Sequence, residues 1–468
     1  MLTNCRALGL GGSVLLAAGG LAAGALPAQV PFGLTILRRH PGWGIVVAYA
    51  GLVLLIAAWW RLGHLVRGDG RDDGGGDGKS AKPTPKQLMI TLAIWSAPLL
   101  LAPPLFSRDV YSYLAQGAMV GAGLDVYEHG PAYYGGPVAA EVPAIWQHTP
   151  TPYGPFFLLV ATGVAAAAGA HLAAGVLGMR LVAVLGVVLL TAALPSLARR
   201  CGVDPAAALW LGALNPLVLA HLVAGAHNDA IMVGLLVAGL AAAVARHPAV
   251  GAALIALAAL VKAPAVVAIF FVASIWAEQA TGRWRRVRTM LYAAAVAAAT
   301  TVVITAVAGT GYGWVRALNT PVSTGNWSPT SLLGRATGAI LGTAHAVPMW
   351  HWIGLGAAVV AGAILWLRRT HLGPVYAVGL GLGAIVLFGP ALRPWYLLWG
   401  LVPLAAAAPD GRVRKVAAVA CAALAMVVLP SGFAFGAEQV AQAVFGCVLA
   451  AALAAALLTP SRVPVVAQ

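Results

Sequence analysis

Residues 87–106 read QLMITLAIWSAPLLLAPPLF, and residues 107–131 read SRDVYSYLAQGAMVGAGLDVYEHGP. The first stretch matches the ~20 residues a helix needs to cross a bilayer. The second opens with Arg108 and Asp109 where the apolar run stops, and three tyrosines, Asp125, Glu128 and His129 follow closely. Only 9% of the chain is charged, so a charge beside an apolar span needs a reason. A carboxylate at a membrane boundary, backed by aromatic rings, suits the role of a base on a bound hydroxyl. The alternative is an Arg108–Asp109 pair that marks a helix end. Ionisable residues in or near spans lean towards function.

Working outward, the whole composition agrees with a spanning helix at 87–106. The chain has 468 residues, of which 61% are hydrophobic, with mean hydropathy +0.88. That predicts an all-α polytopic membrane protein, because backbone polar groups in lipid must be satisfied inside each segment. The formal net charge of +15 comes from short basic clusters between apolar runs, the positive-inside pattern, and does not point to nucleic acid. A basic inner face also favours anionic lipid. Cys5, Cys201, Cys421 and Cys447 are scattered, with no spacing that indicates a disulfide framework or a zinc site.

Taken in order, the chain predicts roughly 13–15 helical segments in a single transmembrane domain, 1–468. The first span, near 8–26, reads as an uncleaved helix rather than a removed signal. A second span lies near 43–61. Residues 63–86, with GDGRDDGGGDGKSAKPTPK, read as a disordered cytoplasmic linker. Its acidic glycines lack the EF-hand spacing, so calcium is not expected. Residues 107–150 are expected outside as a large extracytoplasmic loop carrying short interfacial helices. Two apolar runs in 156–197 leave Arg199 and Arg200 on the wrong side for two full crossings, so either one run is re-entrant or the arginines are an exception. Asn215-Pro216 breaks a later run and frees a backbone carbonyl. Lys262-Ala263-Pro264 splits 249–276 into two half-spans, with the break expected to face a cavity.

Five polar groups interrupt apolar sequence and fall on one face in this topology: Arg108–Asp109, the GLDVYEH segment with Asp125, Tyr127 and His129, then His227-Asn228-Asp229, Lys262, and Arg393. Their convergence predicts a site. Tyr111 and Tyr113 on the first segment, and Tyr153 in TPYGP, are further candidates for lining it. Lys262 at a proline break suits a bound phosphate; the alternative is a lysine that snorkels to the headgroups. Arg393, followed by Trp395 and Tyr396, suits bidentate binding of a lipid phosphate with rings stacked on its ligand. An interfacial aromatic belt with an anchoring arginine reads equally well. His227, Asn228 and Asp229 are candidate hydroxyl ligands, or helix caps. Small hydroxyls and Trp327 in NTPVSTGNWSPTSLLG, residues 319–334, suit carbohydrate contact, as many outside loops would.

The runs SRDVYSYLAQG, GLDVYEHGP and TPYGP, in that order and close spacing, resemble the actinobacterial polyprenyl-phosphomannose-dependent α-1,6-mannosyltransferases. The 319–334 loop and the PWY segment at 394–396 extend the resemblance over most of the chain. It implies a GT-C type membrane glycosyltransferase in the plasma membrane, active on its extracytoplasmic face. The donor would be a polyprenyl-phosphomannose. The acceptor would be a lipid-anchored mannoside of lipomannan or lipoarabinomannan. Asp109 matches the position of the catalytic base, and the implied reaction is a single displacement with inversion. No metal or other cofactor is implied. A secondary transporter is the rival reading, since it shares broken helices and buried charges; the absence of an inverted repeat argues against it.

Overall fold

The computed structural model describes residues 1–28, 32–68, 82–317, 326–433 and 436–458. Among these the chain is all-helical and has no strand. Among the described residues, five helices are long and apolar enough to cross a membrane: Leu2–Ala23, Pro41–Arg67, Leu172–Arg200, Arg285–Ala308 and Ala346–Leu367. Val218–Ala224 and Asp229–Val244 form a sixth candidate, bent by 112°. Several long apolar helices in one chain make this a multi-pass membrane protein.

Small residues bring the helices together. Leu2–Ala23 packs along Pro41–Arg67, and a Cβ on Gly12 would stand 2.7 Å from Gly51 O. Only glycine permits that approach, the device by which membrane helices associate without a hydrophobic driving force. Leu172–Arg200 packs against Asp229–Val244, and Asp109–Gly121 against Pro155–Ala168. Trp59 and Trp210 stack at 4.9 Å, each indole N–H donating to the other's backbone oxygen at 2.9 Å. That satisfies two buried donors. By contrast, few residues of Arg285–Ala308 and Ala346–Leu367 are buried.

The proline breaks fall where the sequence places them. Pro216 cannot donate to Gly212 O, and Asn215 compensates. Its Nδ2 donates to Leu211 O at 2.9 Å and Gly212 O at 3.3 Å, while its Oδ1 accepts from Val218 N at 3.0 Å. The freed carbonyl is thus satisfied by the preceding side chain rather than by a cavity. Pro264 lies near the start of the short helix Ala263–Val267, and the break at 260–262 separates Pro248–Ala259 from it and from Ala268–Gln279.

Other expectations change. Instead of 13–15 segments, the described residues form 22 α-helices and four shorter turns of other helix types, because breaks and short loop helices divide the apolar runs. The expected 63–86 linker is narrower: the second span runs helically to Arg67, and a Thr84–Gln87 capping box starts the next helix at Pro85. The acidic glycine run at 69–81, where calcium was considered, lies outside the described residues. The helix Pro155–Ala168 has 14 residues, too short for a straight crossing, which favours the re-entrant alternative for 156–197. The 107–150 stretch does not begin as a surface loop. Its first residues form the helix Asp109–Gly121, whose Tyr111 and Tyr113 are fully buried. Short helices follow at Pro131–Tyr133, Gly136–Ala140 and Ala144–Gln147.

Candidate active site

Two aspartates open two helices. Asp109 is the first residue of Asp109–Gly121 and Asp229 the first of Asp229–Val244, where the helix dipole favours negative charge. Three residues before each stands a buried non-glycine residue in the left-handed region: Phe106 at φ 66° and Ala226 at φ 54°. Such backbone costs about 1–3 kcal/mol and persists only where surroundings enforce it. Phe106 N donates to Pro430 O at 2.8 Å and Leu105 N to Ala224 O at 3.3 Å. Arg180, buried in Leu172–Arg200, donates to Leu100 O at 2.9 Å, Ala102 O at 2.6 Å and Ala224 O at 3.0 Å. One guanidinium therefore ties together the two segments that lead to the aspartates. Nothing in the local sequence singled Arg180 out, because its partners are carbonyls far along the chain.

The two carboxylates differ in what holds them. Asp229 is fully buried, and both oxygens are engaged: Oδ2 accepts from Lys262 Nζ at 2.7 Å and Oδ1 from Trp399 Nε1 at 2.6 Å. Asp109 keeps 22% of its side chain exposed, with His227 Nδ1 3.6 Å from Oδ2. Its helix is outside the spans. Burial pushes its carboxyl above the ordinary range, while the Arg393 charge, a Ser107 hydrogen bond and the Lys262 charge pull it back down.

Aromatic rings close the site. His227 stacks on Trp395 at 3.8 Å, and the Tyr113 hydroxyl lies 3.3 Å from His227 Nδ1 and 3.4 Å from Asn228 Oδ1. Lys262 Nζ sits 4.9 Å from the Tyr396 ring, 5.6 Å from Trp399 and 5.7 Å from Tyr153. The break at Lys262 thus faces a carboxylate and a box of rings. Tyr153 also meets the edge of Tyr113 at 5.4 Å. Every contributing segment is a helix end or break, which is how irregular backbone is tolerated inside a membrane protein.

Arg393 precedes the short helix Pro394–Tyr396. Its guanidinium lies 4.2 Å from the Phe433 ring, and among the described residues it has no hydrogen-bond or ion-pair partner. The described part of the hydroxyl-rich loop before it bonds to the backbone around Arg393. Ser328 Oγ donates to Pro390 O at 2.9 Å, Thr330 Oγ1 to Gly389 O at 3.1 Å, and Asn326 Oδ1 accepts from Leu392 N at 3.1 Å. These bonds clamp the segment that presents Arg393. Trp327 meets Phe433 ring to ring at 5.9 Å. Residues 318–325 of that loop lie outside the described residues.

Several candidates sit elsewhere. Arg108 does not pair with Asp109. It forms an ion pair with Glu141, donates to Glu141 O at 3.1 Å and to Leu26 O at 3.0 Å, and covers the Tyr111 ring. Tyr111 donates to Ala25 O at 2.7 Å. Both therefore tie the loop to the first helix, because adjacent side chains on a helix start point apart. Asp125 is exposed and accepts from Tyr127 N at 2.8 Å, a local turn. Tyr127 donates to Tyr153 O at 3.0 Å, so it supports the site from behind. His129 stacks on Tyr133 at 4.0 Å. Glu141, Arg180 and Asn326 were not among the sequence candidates.

A buried cluster of two aspartates, a lysine and stacked aromatics at broken membrane helices can now be set beside known proteins. The alpha-(1->6)-mannopyranosyltransferase N-terminal domain family matches residues 6–278, and the MptB C-terminal domain family matches 322–459. This chain belongs to the alpha-(1->6)-mannopyranosyltransferase family. Its relatives include a probable alpha-(1->6)-mannopyranosyltransferase of Mycolicibacterium smegmatis, 36% identical over 86% of this chain and 79% of that protein. Alpha-(1->6)-mannopyranosyltransferase A of Mycobacterium tuberculosis is 37% identical over 88% of this chain and 81% of its own length. Alpha-(1->6)-mannopyranosyltransferase B of Corynebacterium glutamicum is 32% identical over 95% and 79%. No solved structure matches. Membership in a glycosyltransferase family sets the transporter reading aside.

Proposed function

We propose that the protein transfers mannose from a polyprenyl-phosphomannose to a lipid-anchored mannoside, forming an α-1,6 linkage in lipomannan or lipoarabinomannan, on the extracytoplasmic face of the plasma membrane. One observation carries the assignment of the base. Of the two helix-opening aspartates, Asp229 has both oxygens committed to Lys262 and Trp399, whereas Asp109 is partly exposed, with the Ser107 hydroxyl and His227 beside it and, among the described residues, no lysine or arginine paired to it. Asp109 is the one that can take a proton.

In the proposed reaction the acceptor 6-hydroxyl gives its proton to Asp109 as its oxygen attacks the anomeric carbon. The bond from that carbon to the donor phosphate oxygen breaks, and the electron pair leaves on the polyprenyl phosphate. Inversion turns a β-linked donor into an α product. Negative charge grows on the phosphate, and a preorganised cation there lowers the barrier. Arg393, lacking a carboxylate partner among the described residues, suits that task. Lys262 adds positive charge beside it but is already paired with Asp229. Tyr113, Tyr153, His227, Asn228, Trp395 and Tyr396 line the place where the sugar would sit.

The test is purified protein incubated with polyprenyl-phosphomannose and short synthetic α-mannosides. Mannoside elongation by wild type, lost in Asp109→Asn with donor binding retained, is the expected result. Elongation by Asp109→Asn at the wild-type rate would overturn the assignment.

A further inference from the structure

A second polar site lies far from Asp109. A cavity of about 450 Å³ opens between the helices Ala268–Gln279, Arg285–Ala308 and Ala346–Leu367 with the short Arg369–Leu372. Glu278, Arg285, Arg286, Arg369 and Trp366 line it together with two hydroxyl side chains, and the remainder is apolar. Lys262 precedes the first turn of the element that ends at Gln279, while the cavity is lined by its last turns. Lys262 and the lining residue Ser274 are 12 positions apart, a rise of about 18 Å at 1.5 Å per residue. The cavity is therefore at the other end of the helix bundle from the candidate active site.

The chemistry of the lining is unbalanced. Three guanidinium groups face one carboxylate. Arg369 is buried, donates from Nε to Ser274 Oγ at 2.6 Å, and lies 3.9 Å over the Trp366 ring. Arg285 makes only a long 3.5 Å bond to Ala280 O, and the Arg286 guanidinium has no partner among the described residues. The Trp366 indole N–H is buried with no acceptor. Buried donors without acceptors are uncommon in native proteins and mark a place for an acceptor group.

The cavity rim is as informative as its charge. Val287 and Leu291, both lining it, are 54% and 63% exposed. They stand on a helix with few buried residues, so the cavity opens onto the lipid-facing side. Basic residues cluster at this end, in the sequence RWRRVR at 283–288 and in Arg368–Arg369. Basic pockets between membrane helices on the positive side are suited to anionic headgroups, with acyl chains on the apolar wall.

We propose that this cavity binds the headgroup of an anionic phospholipid, its phosphate held by Arg286, Arg285 and Arg369. A soluble phosphate would share the cations but leave the exposed apolar rim uncovered.

The experiment uses full-length protein, delipidated in detergent, with phosphatidylglycerol, phosphatidylcholine or inorganic phosphate added. Retained lipid is read by native mass spectrometry and thermal unfolding is followed in parallel. The variants are R285Q/R286Q, which leaves Arg369 and its Ser274 bond intact, and R199Q/R200Q, an exposed arginine pair outside the cavity. Phosphatidylglycerol should be retained one to one by wild type and raise its midpoint. Loss of two interfacial charges should weaken retention roughly tenfold or more in R285Q/R286Q, and R199Q/R200Q should behave as wild type. Equal retention by R285Q/R286Q, equal weakening by R199Q/R200Q, or stabilisation by phosphatidylcholine or inorganic phosphate matching that of phosphatidylglycerol would each overturn the proposal.

Discussion

Lys262 Nζ lies 2.7 Å from Asp229 Oδ2, and the two residues come from different breaks in the helical framework. With Trp399 on the other oxygen, this pair is a closed unit among aromatic rings. Breaking a buried pair by removing one partner leaves an uncompensated charge and costs about 3–5 kcal/mol. Asp229→Asn and Lys262→Met should each lower the unfolding midpoint in detergent sharply. The double variant, lacking both charges, should recover part of the loss. Additive losses in the double variant would show that the residues are not coupled.

Arg393 should behave in the opposite way. Its one ring contact, with Phe433, contributes little to the fold. Removing it takes a cation from the proposed phosphate, where a charged hydrogen bond is worth about 1.5–3 kcal/mol. Arg393→Gln is expected to lower kcat/KM for the donor by roughly tenfold or more while the unfolding midpoint stays near wild type. A variant that loses stability and keeps donor kinetics would make Arg393 an anchor.

The helical framework was legible because apolar runs, prolines and basic clusters are local signals. Asn215-Pro216 and Lys262-Ala263-Pro264 were readable as breaks for that reason. What those breaks face was not. Asp109 and Lys262 were singled out as rare charges, but the commitment of Asp229 to Lys262 and Trp399 is a tertiary fact spanning 170 positions at its widest. The same holds for Arg108, whose partner Glu141 lies 33 residues on, and for the serines at 328 and 331. These looked like sugar ligands, yet they serve backbone carbonyls at 390. Short polar side chains look alike in sequence whether they bind a ligand or a carbonyl.

Arg180 offers a test of that framework. Its side chain donates to Leu100 O, Ala102 O and Ala224 O. Arg180→Met removes all three bonds and strands the Leu100 and Ala102 oxygens, at about 1–3 kcal/mol each, while Ala224 O keeps Leu105 N; it should abolish stable expression or make the protein sensitive to limited proteolysis. Arg180→Lys keeps the charge without the planar fork and should fall between the two. A fully stable Arg180→Met would mean that the left-handed backbone at Phe106 and Ala226 is held by other contacts.

The last prediction concerns the ionisation of Asp109. A general base works only when deprotonated, so transfer is lost as pH falls through its pKa. Burial raises that pKa, and the Arg393 charge and the Ser107 hydrogen bond act against the rise. The acid limb of kcat/KM should therefore lie above the ordinary carboxylate range of about 4. Ser107→Ala removes one lowering influence and should move the limb further towards neutral pH, with the plateau rate little changed. Asp109→Asn keeps shape and removes basicity, so transfer should fall by roughly 10²–10⁴ at every pH, with donor binding and unfolding midpoint close to wild type. Asp125→Asn is the control, since Asp125 is exposed and holds only a turn at Tyr127; its profile should match wild type. An acid limb that does not move in Ser107→Ala, together with an active Asp109→Asn, would place the titrating base elsewhere in the cluster.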